Sequence, residues 1–323
     1  MIQYKLKTSI HHSSFHHSPL KIMALSRRKF LATTTAATFL NPLASLAKPD
    51  FMAKPGFSLT VLATNWGFNG SWDAFCEKAK AAGYDGVEVW LPSEKDRPVF
   101  LEAVAKHGLS FGFLCGSGNS EYKKHFAEFE KMLRDGVDLK PLYFNCHSGR
   151  DWFDFDQNKK FIELGAEVAK SSGVPVYHET HRGRIMYSAP VTRRFMEAYP
   201  GLRLTLDISH WCNVHESLLD DQADSIQMAL SRTDHIHARI GHPEGPQVND
   251  PRAPEWEDAV SAHFAWWDKV VKRKAAEGQR MTFLTEFGPP TYLPTVPYTF
   301  QPLADQWDIN VYMLKTLRER YGK

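Results

Sequence analysis

The stretch LRLTLDISHW at residues 202–211 alternates like a half-buried strand and ends in residues that bind ligands. Apolar side chains occupy every second position, at Leu202, Leu204, Leu206 and Ile208. An acid, Asp207, lies at the end of this run, and His210 follows three residues later. The pattern predicts a strand that brings a carboxylate and an imidazole to the rim of a sheet.

Three other strand-like runs carry the same kinds of residue at their ends. VPVYHE at 174–179 ends in Glu179, HIHARI at 235–240 contains His237, and MTFLTE at 281–286 ends in Glu286. Three carboxylates and one imidazole suit a hard or borderline divalent cation. Together with Asp207, these residues predict one metal site assembled from four strand ends.

Strand and helix signals alternate along the chain from about Phe57 without a break in composition. The remaining predicted strands are SLTVLAT at 58–64, GVEVWL at 86–91, LSFGFLC at 109–115 and PLYFNCH at 141–147. A helix is expected after each strand, including one at 216–230 after the sixth. Eight such units predict an α/β protein with a single-domain (β/α)8 TIM barrel over residues 48–323. The rival is an open doubly wound sheet, but ATNWGFNG at 63–70 lacks the glycine spacing of a dinucleotide site.

Composition places the chain among soluble globular proteins. It has 323 residues, of which 43% are hydrophobic and 24% charged, and its formal net charge of +2 gives no strongly basic surface for nucleic acid. The four cysteines have no C-x-x-C spacing, so a structural zinc knuckle is not expected. Buried thiols are the prediction, and a disulfide between Cys115 and Cys146 stays open.

The first 47 residues have the pattern of an export signal. SRRKFL at 26–31 resembles a twin-arginine signal, and a small, apolar stretch follows at 32–46. Ser45-Leu46-Ala47 suits a signal peptidase, which puts the mature start near Lys48. Met23 lies just before the arginines, so residues 1–22 are interpreted as an overlong start. The expected location is the periplasm or another extracytoplasmic space, with no membrane anchor in the mature form and the twin-arginine machinery as partner.

Five segments together resemble the xylose isomerase-like barrel superfamily, in particular its sugar phosphate isomerase/epimerase branch, which includes ketose 3-epimerases. They are GYDGVEVW at 83–90, HETHRGR at 178–184, LTLDISHW at 204–211, HIHAR at 235–239 and LTEFG at 284–288. The resemblance implies metal ligation by Glu179, Asp207, His237 and Glu286. It also implies that His210 lies beside the metal and contacts substrate. Mn2+ is the expected ion, with Mg2+, Co2+ and Zn2+ as alternatives.

A metal held in this way suggests proton transfer next to a carbonyl. The cation would polarise the carbonyl of a hydroxy-ketone, and the resulting ene-diolate would be stabilised by its charge. Glu179 and Glu286 are the candidate catalytic residues, one taking the proton and the other returning it. Return to the opposite face gives epimerisation, return to the neighbouring carbon gives isomerisation, and loss of a leaving group makes the enzyme a lyase.

Further side chains are candidates for binding substrate. His181 and Arg182 closely follow Glu179, and Arg239 has the same strand parity as His237. His147 ends the fourth strand, and His242 lies in the long loop after the seventh. Glu88 on the second strand is interpreted as part of a buried polar network, and His178 as packed behind its strand. Trp66, Trp90, Trp211 and Trp256 are either packing residues or stacking platforms for sugar.

The leading hypothesis is an exported, divalent-metal-dependent sugar isomerase or epimerase that acts on a non-phosphorylated ketose or sugar derivative. The alternatives are a lyase or hydratase on keto-sugars or keto-glycosides with the same site, and a non-catalytic periplasmic sugar-binding protein. A nuclease of the endonuclease IV type is disfavoured, because LCG at 114–116 supplies no histidine at the end of the third strand. The expected partner is a small sugar, and self-association is left open.

Overall fold

Eight parallel strands close into a barrel in chain order in the computed structural model, which describes residues 47–322. The last strand pairs with the first, for example Phe283 with Val61, and this pairing closes the ring. The (β/α)8 barrel predicted from the alternating pattern is therefore confirmed. The SRRKFL motif and the apolar stretch after it lie outside the described residues, so the export signal and its boundary remain predictions.

The bounds of the elements follow the predicted order. The strands are β1 Ser58–Thr64, β2 Gly86–Trp90, β3 Ser110–Gly116, β4 Phe144–His147, β5 Val176–Glu179, β6 Leu204–Leu206, β7 Thr233–Ala238 and β8 Arg280–Thr285. The α-helices are α1 Trp72–Ala82, α2 Arg97–Lys106, α3 Tyr122–Val137, α4 Phe155–Ser172, α5 Ala189–Ala198, α6 Ser209–Val214, α7 Ala223–Arg232, α8 Glu257–Glu277 and α9 Gln306–Tyr321. Short 3-10 turns lie at Asp220–Gln222 and Pro254–Trp256.

The helix expected at 216–230 is wrong in its bounds. The chain instead forms the short helix α6 directly after β6 and then the separate helix α7. Glu216 and Leu219 between them have φ angles of 49° and 65°. A left-handed residue cannot belong to a right-handed helix, so the two segments cannot be continuous. One consequence is that His210 lies in α6, close to the rim of the barrel.

The apolar core lies between the strands and the surrounding helices. Phe100 of α2, for example, packs against Phe111 and Phe113 of β3, with ring centroids 5.5 and 5.8 Å apart. Successive strand residues face opposite sides, so one face of each strand builds this layer. His178 follows the same rule: its ring packs toward Gly165 of α4 and bonds to Ser148, as expected for a residue behind its strand.

All four cysteines are buried, free thiols, including Cys115 and Cys146, which are paired in register between β3 and β4. The expectation of buried thiols is confirmed, and the disulfide left open is not formed. Among the described residues, no helix has the length and apolar character needed to cross a membrane.

Candidate metal centre

The four predicted metal ligands come together at the carboxyl-terminal rim of the barrel. Glu179 is the last residue of β5, Asp207 follows β6, His237 lies near the end of β7, and Glu286 follows β8. Parallel strands end at the same edge of a barrel, so these side chains converge. One donor atom from each lies within 4.8 Å of the others. Glu179, Asp207 and His237 are buried, and the Glu286 side chain is 12% exposed. Their roles as ligands remain predictions.

The donor atoms of this four-residue group face one another, and one of them has no hydrogen-bond partner in the protein. His237 Nδ1 lies 2.8 Å from Glu286 Oε2 and 3.7 Å from Glu179 Oε1. Glu179 Oε2 accepts a hydrogen bond of 2.7 Å from Asn145, but Glu179 Oε1 is buried with no hydrogen-bond partner. Buried oxygens are rarely left without a partner. A divalent cation bound by Glu179, Asp207, His237 and Glu286 would fit this unpaired oxygen and the carboxylate-rich donor set.

A buried arginine partly offsets the negative charge of the group. Arg239 Nη2 contacts Asp207 Oδ2 and lies 3.6 Å from Glu286 Oε2. Ser209 Oγ donates to the other oxygen of Asp207. Burial raises the pKa of Asp207 to about 6, against the opposing effect of Arg239. The guanidinium also lies 4.8 Å from the ring centroid of Tyr292, which holds it in place.

Neighbouring charges shift the pKa values of His237 and Glu179. Burial alone would lower the pKa of His237, but Glu286, Glu179 and Glu88 hold it well above its usual range. Burial alone would raise the pKa of Glu179, but His147 and His237 hold it well below. Without a bound cation, His237 is therefore a protonated imidazolium that lies between carboxylates. A metal ion would displace the proton on Nδ1 of His237.

Three histidine rings pack against one another beside the group, at tilted angles. The ring of His181 lies 4.4 Å from that of His147 and 3.9 Å from that of His210, measured between centroids. Burial, followed by the neighbouring His147, holds the pKa of His181 well below its usual range. His210 is fully buried, and its pKa is lowered by burial and by His181. His147 Nε2 lies 2.9 Å from Glu179 Oε2, although the angle is poor for a hydrogen bond.

A cavity of about 430 Å³ opens over the group, which is within the usual range for small-molecule sites. The charged and histidine side chains in its lining are Glu88, His147, His181, Arg239 and Glu286. Three aromatic side chains, Trp66, Trp90 and Tyr292, also line it. Trp90 is 45% exposed and Trp66 is 36% exposed, whereas Trp211 is fully buried. Of the tryptophans singled out in the sequence, these two can therefore contact a ligand, and Trp211 is a packing residue.

Three of the predicted substrate contacts, namely Arg182, His210 and His242, do not line this cavity. Arg182 donates to Asn213 Oδ1 at 2.9 Å and lies over the Tyr292 ring. His242 stacks on Trp256 with centroids 4.7 Å apart, in the loop after β7. His210 lies behind His181 and bonds to Arg239 Nη2 at 2.9 Å. Three of the six predicted substrate residues, namely His147, His181 and Arg239, thus face the cavity directly.

A buried polar network adjoins the group, as predicted for Glu88. Glu88 is 2% exposed. Its carboxylate bonds to Tyr143, which lies just before β4, to Asn145 of β4, and to His235 and His237 of β7. Burial alone would raise the pKa of Glu88, but His237 and His235 hold it below its usual range. Sequence reasoning missed Tyr143, Asn145 and His235. These three residues alternate with apolar residues that face outward, and this alternation is the sequence signal that indicates inward-facing side chains.

Comparison with known proteins supports the architecture. The family described as xylose isomerase-like TIM barrel matches residues 76–255. Inosose dehydratase from Mesomycoplasma hyopneumoniae (strain J) is 20% identical over 190 residues, covering 52% of this chain and 62% of that protein. The chain thus aligns with less than two thirds of the length of this curated relative.

Two solved structures share the fold. The probable 3-DHS dehydratase AsbF from Bacillus anthracis superposes with a TM-score of 0.53 at 16% identity, covering 81% of this chain and 100% of that one. A D-tagatose 3-epimerase-like protein superposes with a TM-score of 0.52 at 12% identity, covering 81% of this chain and 96% of that one. Similarity at this level of identity concerns the barrel alone.

Proposed function

This chain belongs to the xylose isomerase-like TIM barrel family, and on that basis we propose that it is a divalent-metal-dependent sugar isomerase or epimerase. Its substrate would be a non-phosphorylated ketose or sugar derivative. The observation that carries the proposal is the convergence of four donor atoms within 4.8 Å, one of them a buried glutamate oxygen with no partner in the protein. Such a group sits where barrel enzymes perform their chemistry.

The four-residue group would hold the cation, and Mn2+ is the proposed ion. When bound, it would supply a Lewis acid that polarises a substrate carbonyl and offsets the negative charge developing on the carbonyl oxygen. All other steps fall to side chains of this protein.

Proton transfer would belong to the two glutamates. Glu286 lines the cavity and would take the proton from the carbon next to the carbonyl. Glu179, on the other side of the group, would return a proton, with His147 2.9 Å from its Oε2. General acid–base catalysis by positioned carboxylates contributes typically about 10²–10⁴-fold in rate. Arg239 and His181 face the same space and would bind the substrate hydroxyls.

Export to the periplasm is part of the proposal. The SRRKFL motif at 26–31 supports it, followed as it is by a small, apolar stretch and a cleavage-like Ser45-Leu46-Ala47. An extracytoplasmic enzyme would encounter free sugars rather than sugar phosphates, which is why the proposed substrate lacks a phosphate.

A lyase is the second candidate, and the names of similar proteins favour it. An inosose dehydratase and a probable 3-DHS dehydratase are among the relatives of this chain. The same proton removal beside a carbonyl, followed by departure of a β-hydroxyl as water or of an alcohol from a keto-glycoside, would give an unsaturated ketone. The site therefore serves either outcome, and the leaving group on the substrate decides between them.

Deuterium incorporation tests the proposal. The purified full chain is loaded with Mn2+ and incubated in D2O with a panel of free ketoses and keto-glycosides. We expect exchange at the carbon next to the carbonyl of at least one compound, with loss of exchange in Glu286→Gln and after chelation. Glu167→Gln, an exposed residue of α4, is the control and should keep full exchange. Formation of an unsaturated ketone identifies the lyase; exchange that survives both chelation and Glu286→Gln contradicts the proposal.

A further inference from the structure

Glu88 is the centre of a hydrogen-bonded network inside the barrel. Its Oε1 lies 3.0 Å from His237 Nε2 and accepts from Asn145 at 3.2 Å. Its Oε2 accepts from Tyr143 at 2.7 Å and lies 2.9 Å from His235 Nε2. Both oxygens of this buried carboxylate thus have two partners each. A carboxylate held at both oxygens has a fixed orientation, which makes it a rigid acceptor.

The network is itself anchored to the barrel wall. His235 Nδ1 bonds to Thr282 Oγ1 of β8 at 2.8 Å, which leaves Nε2 for Glu88. Tyr143 reaches Glu88 across Gly112 of β3, where a Cβ atom would come within 2.8 Å of the tyrosine ring. The contacts join β2, β3, β4, β7 and β8. Closure of the barrel therefore sets the position of Glu88.

The two nitrogens of His237 face different neighbours. Nδ1 faces Glu286 Oε2 at 2.8 Å and Glu179 Oε1 at 3.7 Å, both in the four-residue group. Nε2 lies 3.0 Å from Glu88 Oε1, which is outside that group, and 3.0 Å from Asn145 Nδ2. An ionised carboxylate can only accept hydrogen bonds. The two hydrogens of Asn145 Nδ2 have carboxylate acceptors in Glu179 Oε2 and Glu88 Oε1. The hydrogen on Nε2 of His237 is therefore directed at Glu88, and Nδ1 is the nitrogen left for a cation.

We propose that Glu88 is a positioning residue that selects Nδ1 of His237 as the metal ligand and fixes the plane of its ring. This inference rests on the proposed metal centre. Histidine ligands generally donate their second N–H to a carboxylate or carbonyl, and loss of that partner typically weakens metal binding by about 10–100-fold. In this chain the carboxylate comes from β2, which is separated by β8 and β1 from the strand that carries the ligand.

Glu88, His235 and His237 also offer three donor atoms within 4.8 Å of one another. Each of these donors already has a hydrogen-bond partner in the network, in contrast to Glu179 Oε1. We therefore assign the three residues to the support of the metal centre. Binding of a second equivalent of Mn2+ that is lost in His235→Gln would overturn this assignment.

Mn2+ affinity is the primary test. The metal-free full chain is titrated with Mn2+, and free Mn2+ is followed by its electron paramagnetic resonance signal. We expect Glu88→Leu to weaken binding by about 10–100-fold. Glu88→Gln should lose much less, because its amide oxygen can still accept from Nε2–H. Asn158→Leu, a buried polar change in α4 that touches none of the four ligands, is the control and should keep the wild-type affinity.

The nitrogen assignment provides a measurement that needs no variant. With 15N-labelled histidine and Mg2+ or Zn2+ bound, we expect His237 to show a protonated Nε2 and a ligated Nδ1. A ligated Nε2 in the wild-type protein would overturn the inference, as would an unchanged Mn2+ affinity in a folded Glu88→Leu variant. Glu179→Gln separates the two proposals: if it too leaves Mn2+ binding unchanged, the metal centre itself is wrong.

Discussion

Arg239 and Asp207 form an ion pair inside the barrel, with side chains that are 2% and 0% exposed. The pair joins the residue after β7 to the residue after β6, and the same guanidinium lies 3.6 Å from Glu286. A buried ion pair adds little to the stability of a protein, because both charges lose their hydration. Removing one partner is nevertheless destabilising, because the other charge then stays buried without compensation. The pair therefore links the stability of the barrel to the charge of the proposed metal centre.

Arg239→Met tests this link. We expect the substitution to lower the free energy of unfolding of the metal-free protein by about 3–5 kcal/mol, because Asp207 is left buried without its ion-pair partner. The loss should be smaller when Mn2+ is present, since the ion supplies the missing positive charge. Urea unfolding with chelator and with saturating Mn2+ measures both values.

Arg252→Met is the matched control for Arg239. Arg252 pairs with Asp250 and Asp308 but is 36% exposed, and exposed pairs contribute only about 0–1 kcal/mol. A loss at Arg239 that is the same with and without Mn2+ would show that the ion pair and the metal centre are independent.

Gly112 makes room for the network around Glu88. A Cβ added there would lie 2.8 Å from the ring of Tyr143, closer than such contacts occur. We expect Gly112→Ala to destabilise the protein by about 1–3 kcal/mol through overpacking. Gly201→Ala, where a Cβ would meet nothing within 4 Å, is the control. Equal unfolding midpoints for the two variants would mean that Tyr143 can move away without cost.

His263 should make stability depend on pH. Its ring is buried, Nδ1 lies 2.7 Å from the carbonyl of Ala259, and Nε2 accepts from Gly241 N–H at 3.2 Å. Burial lowers the pKa of His263 to about 4, against the hydrogen bond to Ala259. Between about pH 6.5 and 4 the unfolded chain therefore binds a proton that the folded protein does not, and stability falls as the pH falls.

The size of this effect is about 3 kcal/mol over the whole window. His263→Gln removes the titrating group, so its unfolding free energy should vary less steeply with pH than that of the wild type. Urea unfolding at a series of pH values gives the two slopes. Identical slopes would mean that His263 is charged in the folded protein or titrates at its ordinary pKa.

The barrel and the four converging residues could be read from the sequence because they depend on local patterns. Strands that alternate apolar and polar residues fix which side chains face inward, and parallel strands all end at one rim. These two rules are enough to predict that four side chains meet at the rim: Glu179, Asp207, His237 and Glu286. Glu88 was recognised as part of a polar network for the same reason.

Other features depend on contacts between strands far apart in the chain. The sequence does not reveal that Glu88 of β2 reaches His237 of β7, because that contact exists only once the barrel has closed. Asn145 and Tyr143 have the inward parity, but nothing in PLYFNCH indicates their partners. Loop residues are harder still: Arg182 and His242 follow strands that end at the rim, yet their side chains bond to Asn213 and stack on Trp256.

Binding of Mn2+ to the metal-free full chain, with and without Glu179→Gln, tests the central claim most directly. We expect the wild-type protein to bind one equivalent, and Mn2+ at 100 times its Kd to raise the free energy of unfolding by about 2.7 kcal/mol. Glu179→Gln, which alters the unpaired oxygen, should lose most of this stabilisation, whereas Glu167→Gln on the surface of α4 should keep it. Equal Mn2+ binding and equal stabilisation in all three proteins would contradict a metal centre at these four residues.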